Sequence, residues 1–153
     1  SNILFWIELM ASFAEHKKIL KQIEAFKPQL NKIVDASGVL AVNHFTKSFA
    51  NQGFTDESIS RWLPRIRAER GKNRAILVKS GRLRRSLRSK RFGSLAVKIM
   101  TDVPYASVHN NGERSGRGKG FKMPKRQFIG YSAQLNRKII AFIDKNIKQQ
   151  FNK

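Results

Sequence analysis

Arg91-Phe92-Gly93-Ser94-Leu95-Ala96-Val97-Lys98-Ile99-Met100 is the stretch that separates a mixed chain from an all-helical one. Arg91 to Ser94 reads as a hairpin turn centred on a glycine. Beyond it, Leu95, Val97 and Ile99 alternate with Ala96, Lys98 and Met100. A period of two sends successive side chains to opposite faces, so this is a strand half buried on one side.

Away from that strand the period lengthens. Phe13, Ile19, Leu20, Ile23 and Phe26 share one helical face, which predicts a helix over about 11–26. Pro28 suits the first turn of a second helix, where its missing N–H costs little. That helix runs to about Asn51, with Leu30, Ile33, Val34, Leu40, Phe45 and Phe49 toward the core and Gly38 as a weak point. Asn51-Gln52-Gly53 is its stop. The chain from Arg61 to Arg74 is irregular and basic, with Trp62-Leu63-Pro64-Arg65 anchoring a loop by burying the indole. Ser80 caps a short helix whose Leu83 and Leu87 lie on one side. Downstream of the strand, Tyr105 to His109 reads as a short helix with Tyr105 and Val108 inward, ended by Asn111-Gly112. Three glycines, Gly116, Gly118 and Gly120, among Arg114, Arg117 and Lys119 make a flexible basic loop. Gln127 to Gly130 reads as a short extended strand, with Phe128 as a core anchor. A last helix from about Ser132 repeats Leu135, Ile139, Ile143, Ile147 and Phe151, with Ile140 and Phe142 widening the stripe. The result is an α+β chain: long N-terminal helices, a central β-hairpin or small antiparallel sheet, and a C-terminal helix. No βαβ alternation is present.

The 153 residues suffice for one domain, expected over 11–153. At 41% hydrophobic with eleven Phe, the composition is globular. With no Cys, disulfides and thiolate metal sites are excluded. No apolar run approaches the ~20 residues of a membrane span. Residues 1–10 carry the apolar run Ile3-Leu4-Phe5-Trp6-Ile7 without a basic n-region or a small-residue cleavage site, which argues against a secretory signal. They read either as an amphipathic arm or as non-native sequence ahead of a start at Met10, with Ser1-Asn2 resembling a tag remnant.

Charge is the dominant compositional signal. Lys and Arg number 31 against 10 acids, a net charge of +21. Between Arg61 and Arg126 stand 20 Lys and Arg but only Glu69, Asp102 and Glu113, a local +17. So many like charges repel, which favours a functional footprint for DNA phosphates or an acidic protein over a merely solvated surface. The candidate contacts are Arg82, Arg84, Arg85 and Arg88 on the short helix, with Arg114, Arg117 and Lys119 on the glycine-rich loop. Few aromatics interleave with these charges, which weakens a single-strand stacking platform. Catalytic patterns are thin. His109 and Asp102 have no clustered carboxylate or histidine partners for a metal-dependent nuclease, since His16 and His44 fall in the N-terminal helices. A turn or helix end stabilised by polar side chains is the simpler account of His109-Asn110-Asn111. Gly116-Arg117-Gly118-Lys119-Gly120 lacks P-loop spacing, and no Gly-x-Ser-x-Gly elbow exists. No cofactor, metal or catalytic set is expected.

Five blocks in order carry a resemblance. They are Asn43 to Asp56, Trp62-Leu63-Pro64-Arg65, Ile76 to Ser86, Asp102 to Gly112, and Met123 to Gly130. Their order and spacing resemble the phage virion morphogenesis or tail completion family, typified by the G protein of phage Mu. The resemblance implies a non-enzymatic virion protein, assembled in the bacterial host cytoplasm, that completes the tail or joins it to the head. It also implies tail, neck or head proteins as partners and a ring-forming homo-oligomer. The loop after Gly112 departs from the family pattern, where a longer insertion is usual. The charge alone supports a different reading, a basic nucleic-acid-binding module.

Overall fold

The computed structural model describes the backbone of residues 2–65 and 74–151, and the side chains of residues 17–65 and 74–150. One helix, α1 (Asn2–Asn51), forms the spine. At 50 residues it extends about 75 Å at 1.5 Å per residue. The expected break at Pro28 does not occur: one helix replaces two, with Pro28 inside it. Proline removes one backbone bond, the one that would reach Glu24. Glu24 and Pro28 lie on an exposed stretch, where solvent can serve the freed carbonyl. The side chains of Phe13 and of the 1–10 arm lie outside the described residues.

Short elements wrap the C-terminal half of α1. They are β1 (Gly53–Thr55), β2 (Ile59–Arg61), α2 (Arg82–Ser86), β3 (Arg88–Phe92) and β4 (Ala96–Met100), then α3 (Ala106–Asn111), β5 (Arg114–Ser115), β6 (Phe121–Lys122) and α4 (Ala133–Phe151). The strands form three separate antiparallel pairs: Gly53 opposite Arg61, Arg88 opposite Met100, and Arg114 opposite Lys122 at their ends. The architecture is α+β, as the alternation at 95–100 indicated. The central hairpin is longer than its turn suggested, because β3 precedes Gly93, and Leu95 sits in the exposed turn rather than on the buried face.

Aromatic packing fixes where the core lies. Phe45, Phe49, Phe54, Trp62, Leu83, Leu87, Val103, Phe128 and Leu135 are buried together. Phe49 is the hub, its ring 5.6 Å from Trp62 edge-on and 5.3 Å from Phe128. Gly38 explains its own presence mid-helix. An added Cβ would lie 2.7 Å from Val97 Cγ1 and 2.8 Å from Ser89 Cβ, so the glycine lets the β3–β4 hairpin lie directly on α1. Arg91 pins the same hairpin by a two-point ion pair with Asp35 and a bond to the Asn31 carbonyl. His44 is buried, and its Nε2 lies 3.1 Å from both the Thr55 carbonyl and Ser132 Oγ, tying α1 to β1 and the start of α4. Ser132 Oγ accepts the Leu135 N–H at 3.1 Å, capping α4 where the sequence placed its start. Ile140, expected to widen the apolar stripe, is exposed; Phe142 is half-buried.

Two further expectations change. Residues 113–122 are not a plain loop but the β5–β6 hairpin. Its turn uses positive φ at Gly116, Gly118 and Gly120, and Arg114 Nη2 donates to the Lys119 carbonyl at 2.6 Å. Residues 127–130 are not a strand. The Phe128 and Ile129 N–H groups both donate to Asn110 Oδ1, at 2.9 and 3.0 Å, so a side chain replaces a neighbouring strand.

Candidate partner-binding surface

The segments flanking Trp62 and Phe128 are stitched together. Trp62 Nε1–H donates to the Gln127 carbonyl at 2.7 Å, which confirms the indole as the anchor of its loop. The Arg126 guanidinium, buried to 7% exposure, donates to the Leu63 carbonyl at 3.3 and 3.4 Å. The Arg126 N–H donates to the His109 carbonyl at 2.8 Å. On the opposite side, the Gln52 amide clamps Ile76 at both its N–H (2.5 Å) and its carbonyl (3.4 Å). Gln52 and Leu77 are the non-glycine residues of the described chain with positive φ, at 51° and 60°. Such conformations persist only where their surroundings hold them.

These contacts frame a recess of about 420 Å³. Arg65, Lys79, Arg82 and Arg126 line it, with Tyr105 and His109. Ile76, Leu77 and Leu83 supply an apolar wall. No carboxylate is among the described lining residues. Tyr105, expected inward, is exposed at the rim, its ring edge-on to His109 at 5.9 Å. The His109 Nδ1 is buried and has no hydrogen-bond partner among the described residues. Burial, and secondarily the Arg126 charge, pushes the His109 pKa down. Burial, then the charge of Arg65, likewise pushes Arg126 below the usual arginine range.

The seven basic residues singled out from sequence fall in two places. Arg82, Arg85 and Arg88 share a shallow shelf beside the recess, with Ser86 and Asp102. Arg84 is exposed on the same short helix. Gly81, not Ser80, is the N-cap of that helix, although Ser80 Oγ accepts the Arg82 N–H at 3.3 Å. Two of the shelf cations are partly committed. Arg88 pairs with Asp102 at 3.2 Å, and Arg85 donates to the Ser80 carbonyl at 2.9 Å. Arg114, Arg117 and Lys119 sit on the β5–β6 hairpin, and among the described residues no hydrogen bond or ion pair links them to the shelf. Sequence reasoning missed Arg65, Lys79 and Arg126 as companions of Arg82. The available signal was their position inside the ordered blocks: four blocks each contribute to the recess wall.

Asp102 is engaged on the shelf while His109 stands in the recess, and among the described residues no group of three His, Cys, Asp or Glu side chains could hold a metal ion. The recess gathers cationic side chains, and no carboxylate stands beside His109 among its described lining residues.

Comparison with known proteins adds a family. The model of the phage virion morphogenesis family matches residues 13–148. The chain matches no curated protein and no solved structure.

Proposed function

The chain belongs to the phage virion morphogenesis family, and on that premise we propose that it is a structural, non-catalytic protein that completes the tail or joins it to the head. One observation supports an assembly role beyond the family match. On α1, Ile19, Leu20 and Ile23 are 52%, 61% and 54% exposed, in the N-terminal half of a 50-residue helix. Apolar side chains held out on a long helix suit burial against a neighbour during assembly. The neighbour would be another tail, neck or head protein or a second copy in a homo-oligomeric ring. Assembly would take place in the host cytoplasm, with residues 11–153 as the working domain and 1–10 as an arm.

Replacing Ile19, Leu20 and Ile23 together by Gln tests this. Stability should stay within about 0.5 kcal/mol, because exposed substitutions away from special features change little. Particle yield in a complementation assay should fall steeply, with tails or heads left unjoined. Normal particles from the triple variant would remove the arm from the argument, and normal particles from a gene deletion would remove the function.

A second reading, a basic nucleic-acid-binding module, draws on the exposed Arg84 and the cations of the β5–β6 hairpin. Duplex DNA held at physiological salt would favour it, since non-specific phosphate contacts weaken steeply as salt rises.

A further inference from the structure

We propose that the recess bounded by Arg65, Lys79, Arg82 and Arg126 is a docking site for an acidic segment of a partner protein, taking a Glu or Asp side chain with an apolar residue beside it. The inference deepens the assembly reading and rests on it, since it names the chemistry of the partner.

Four cations converge on about 420 Å³ with no carboxylate among the described lining residues. Like charges gathered in one concave place repel each other, and an arriving anion relieves that repulsion. Arg126 is the most confined of the four. Among the described residues its guanidinium is satisfied only by the Leu63 carbonyl, through long bonds of 3.3 and 3.4 Å. A neutral carbonyl leaves the charge uncompensated, whereas a carboxylate would form the stronger, charge-assisted bond. His109 Nδ1, also in this wall, is buried and has no hydrogen-bond partner among the described residues. The wall is also tied down at one point: Gln52 holds both the N–H and the carbonyl of Ile76, beside Leu77 at its positive φ. A pre-shaped wall spares a ligand the cost of ordering it.

The apolar side decides between a protein and a nucleic acid. Ile76, Leu77 and Leu83 offer nothing to phosphate, but they can bury an aliphatic neighbour of an acidic residue. Duplex DNA is a rod with a charge every ~1.7 Å of axis and is best met by cations on an open face. The shelf and the β5–β6 hairpin supply such faces; the recess does not.

The test uses the full chain and a short probe, acetyl-Leu-Glu-Leu-Glu-amide, with the Gln-for-Glu peptide and inorganic phosphate as comparisons. The His109 ring and arginine Nε–H resonances are followed by NMR. The Glu peptide should shift His109 saturably while the Gln peptide does not. The exposed pair Lys79→Gln and Arg82→Gln should weaken binding about tenfold or more without unfolding the chain. Arg117→Gln on the separate hairpin should leave binding unchanged. Phosphate binding as tightly as the Glu peptide would overturn the proposal in favour of a simple anion site, and silence of His109 toward every probe would overturn it outright. Glu69 lies outside the described residues, so Glu69→Gln is included. Peptide binding that emerges only in that variant would assign the recess to the chain's own carboxylate and overturn a partner site. All these readouts are independent of particle assembly. A silent recess with a particle defect on gene deletion would sink the site alone; a binding recess with normal particles on deletion would sink the assembly role and the partner with it.

Discussion

Asn110→Ala isolates one atom on which the C-terminal third depends. Asn110 Oδ1 accepts two backbone N–H groups, from Phe128 at 2.9 Å and Ile129 at 3.0 Å. Phe128 is 1% exposed and packs on Phe49, so the segment cannot drift outward to solvate those amides without pulling a ring from the core. An unsatisfied buried donor costs about 1–3 kcal/mol, so losing the shared acceptor should cost about 2–4 kcal/mol, allowing for partial relaxation. For a chain of this size each kcal/mol moves the midpoint about 2–4 °C, which puts the expected Tm loss at about 4–16 °C. Asn110→Asp is the companion variant. Its carboxylate keeps an acceptor for both N–H groups and gives up only the exposed Nδ2 bond to Asn111. It should therefore retain most of the stability that Ala loses. Urea denaturation of the three proteins, with thermal melts by circular dichroism, measures both differences. If Ala lies within about 0.5 kcal/mol of the parent, or if Asp is as damaging as Ala, the claim that this side chain substitutes for a strand partner is false.

Gly38→Ala separates helix propensity from packing. Propensity alone would stabilise α1 by about 1 kcal/mol, whereas contacts of 2.7 and 2.8 Å to Val97 and Ser89 predict a net destabilisation of about 1–3 kcal/mol; the sign of the change in urea midpoint decides. The histidines give a pH dependence. His44 is held below the ordinary histidine range, first by burial, then by Lys138 and Lys47, against an opposing pull from the Thr55 carbonyl, and His109 is lowered by burial and Arg126. A depressed histidine pKa means the unfolded chain binds the proton more readily. The stability is therefore intact above the unfolded value and declines as pH falls through it. The urea midpoint should drop between pH 8 and 5.5, and the drop should shrink in the His44→Gln, His109→Gln double variant; an unchanged slope would refute the assignment.

How much was legible in the sequence follows from the range of the interactions. The β4 alternation, the Trp62 anchor, the stop at Gln52-Gly53 and the α4 stripe depend on local spacing, and they are realised except at Leu95 and Ile140, which are exposed. Pro28 misled because the rule for proline weighs one lost backbone bond and is blind to the helix on either side. The 127–130 segment looked like a strand because its composition is extended, and its true partner is the side chain of Asn110, 18 residues upstream. Arg82 was legible as a candidate contact, but Arg65, Lys79 and Arg126 join it only through folding. Gln52 to Ile76 spans 24 residues and Arg126 to Leu63 spans 63, distances over which no local pattern carries information.

The basic surplus itself has two uses, and separating them explains why net charge alone misdirects. Arg61, Arg65, Arg85, Arg91, Arg114 and Arg126 each donate to a backbone carbonyl. The described residues form three two-stranded hairpins with long connections, so many carbonyls lie outside regular ladders. The arginine fork serves such groups well because it presents several donors in one plane. A carbonyl removes none of the charge, so the long-range attraction of +21 persists at every one of these sites. What it removes is freedom: an arginine bound to its own backbone is held in place and cannot rearrange to follow a phosphate row. The charge thus steers any polyanion or acidic surface toward the protein, while the fixed geometry selects among them. Where two such arginines, Arg65 and Arg126, line one recess beside an apolar wall, that selection is the basis on which a shaped acidic segment is proposed over a uniform rod.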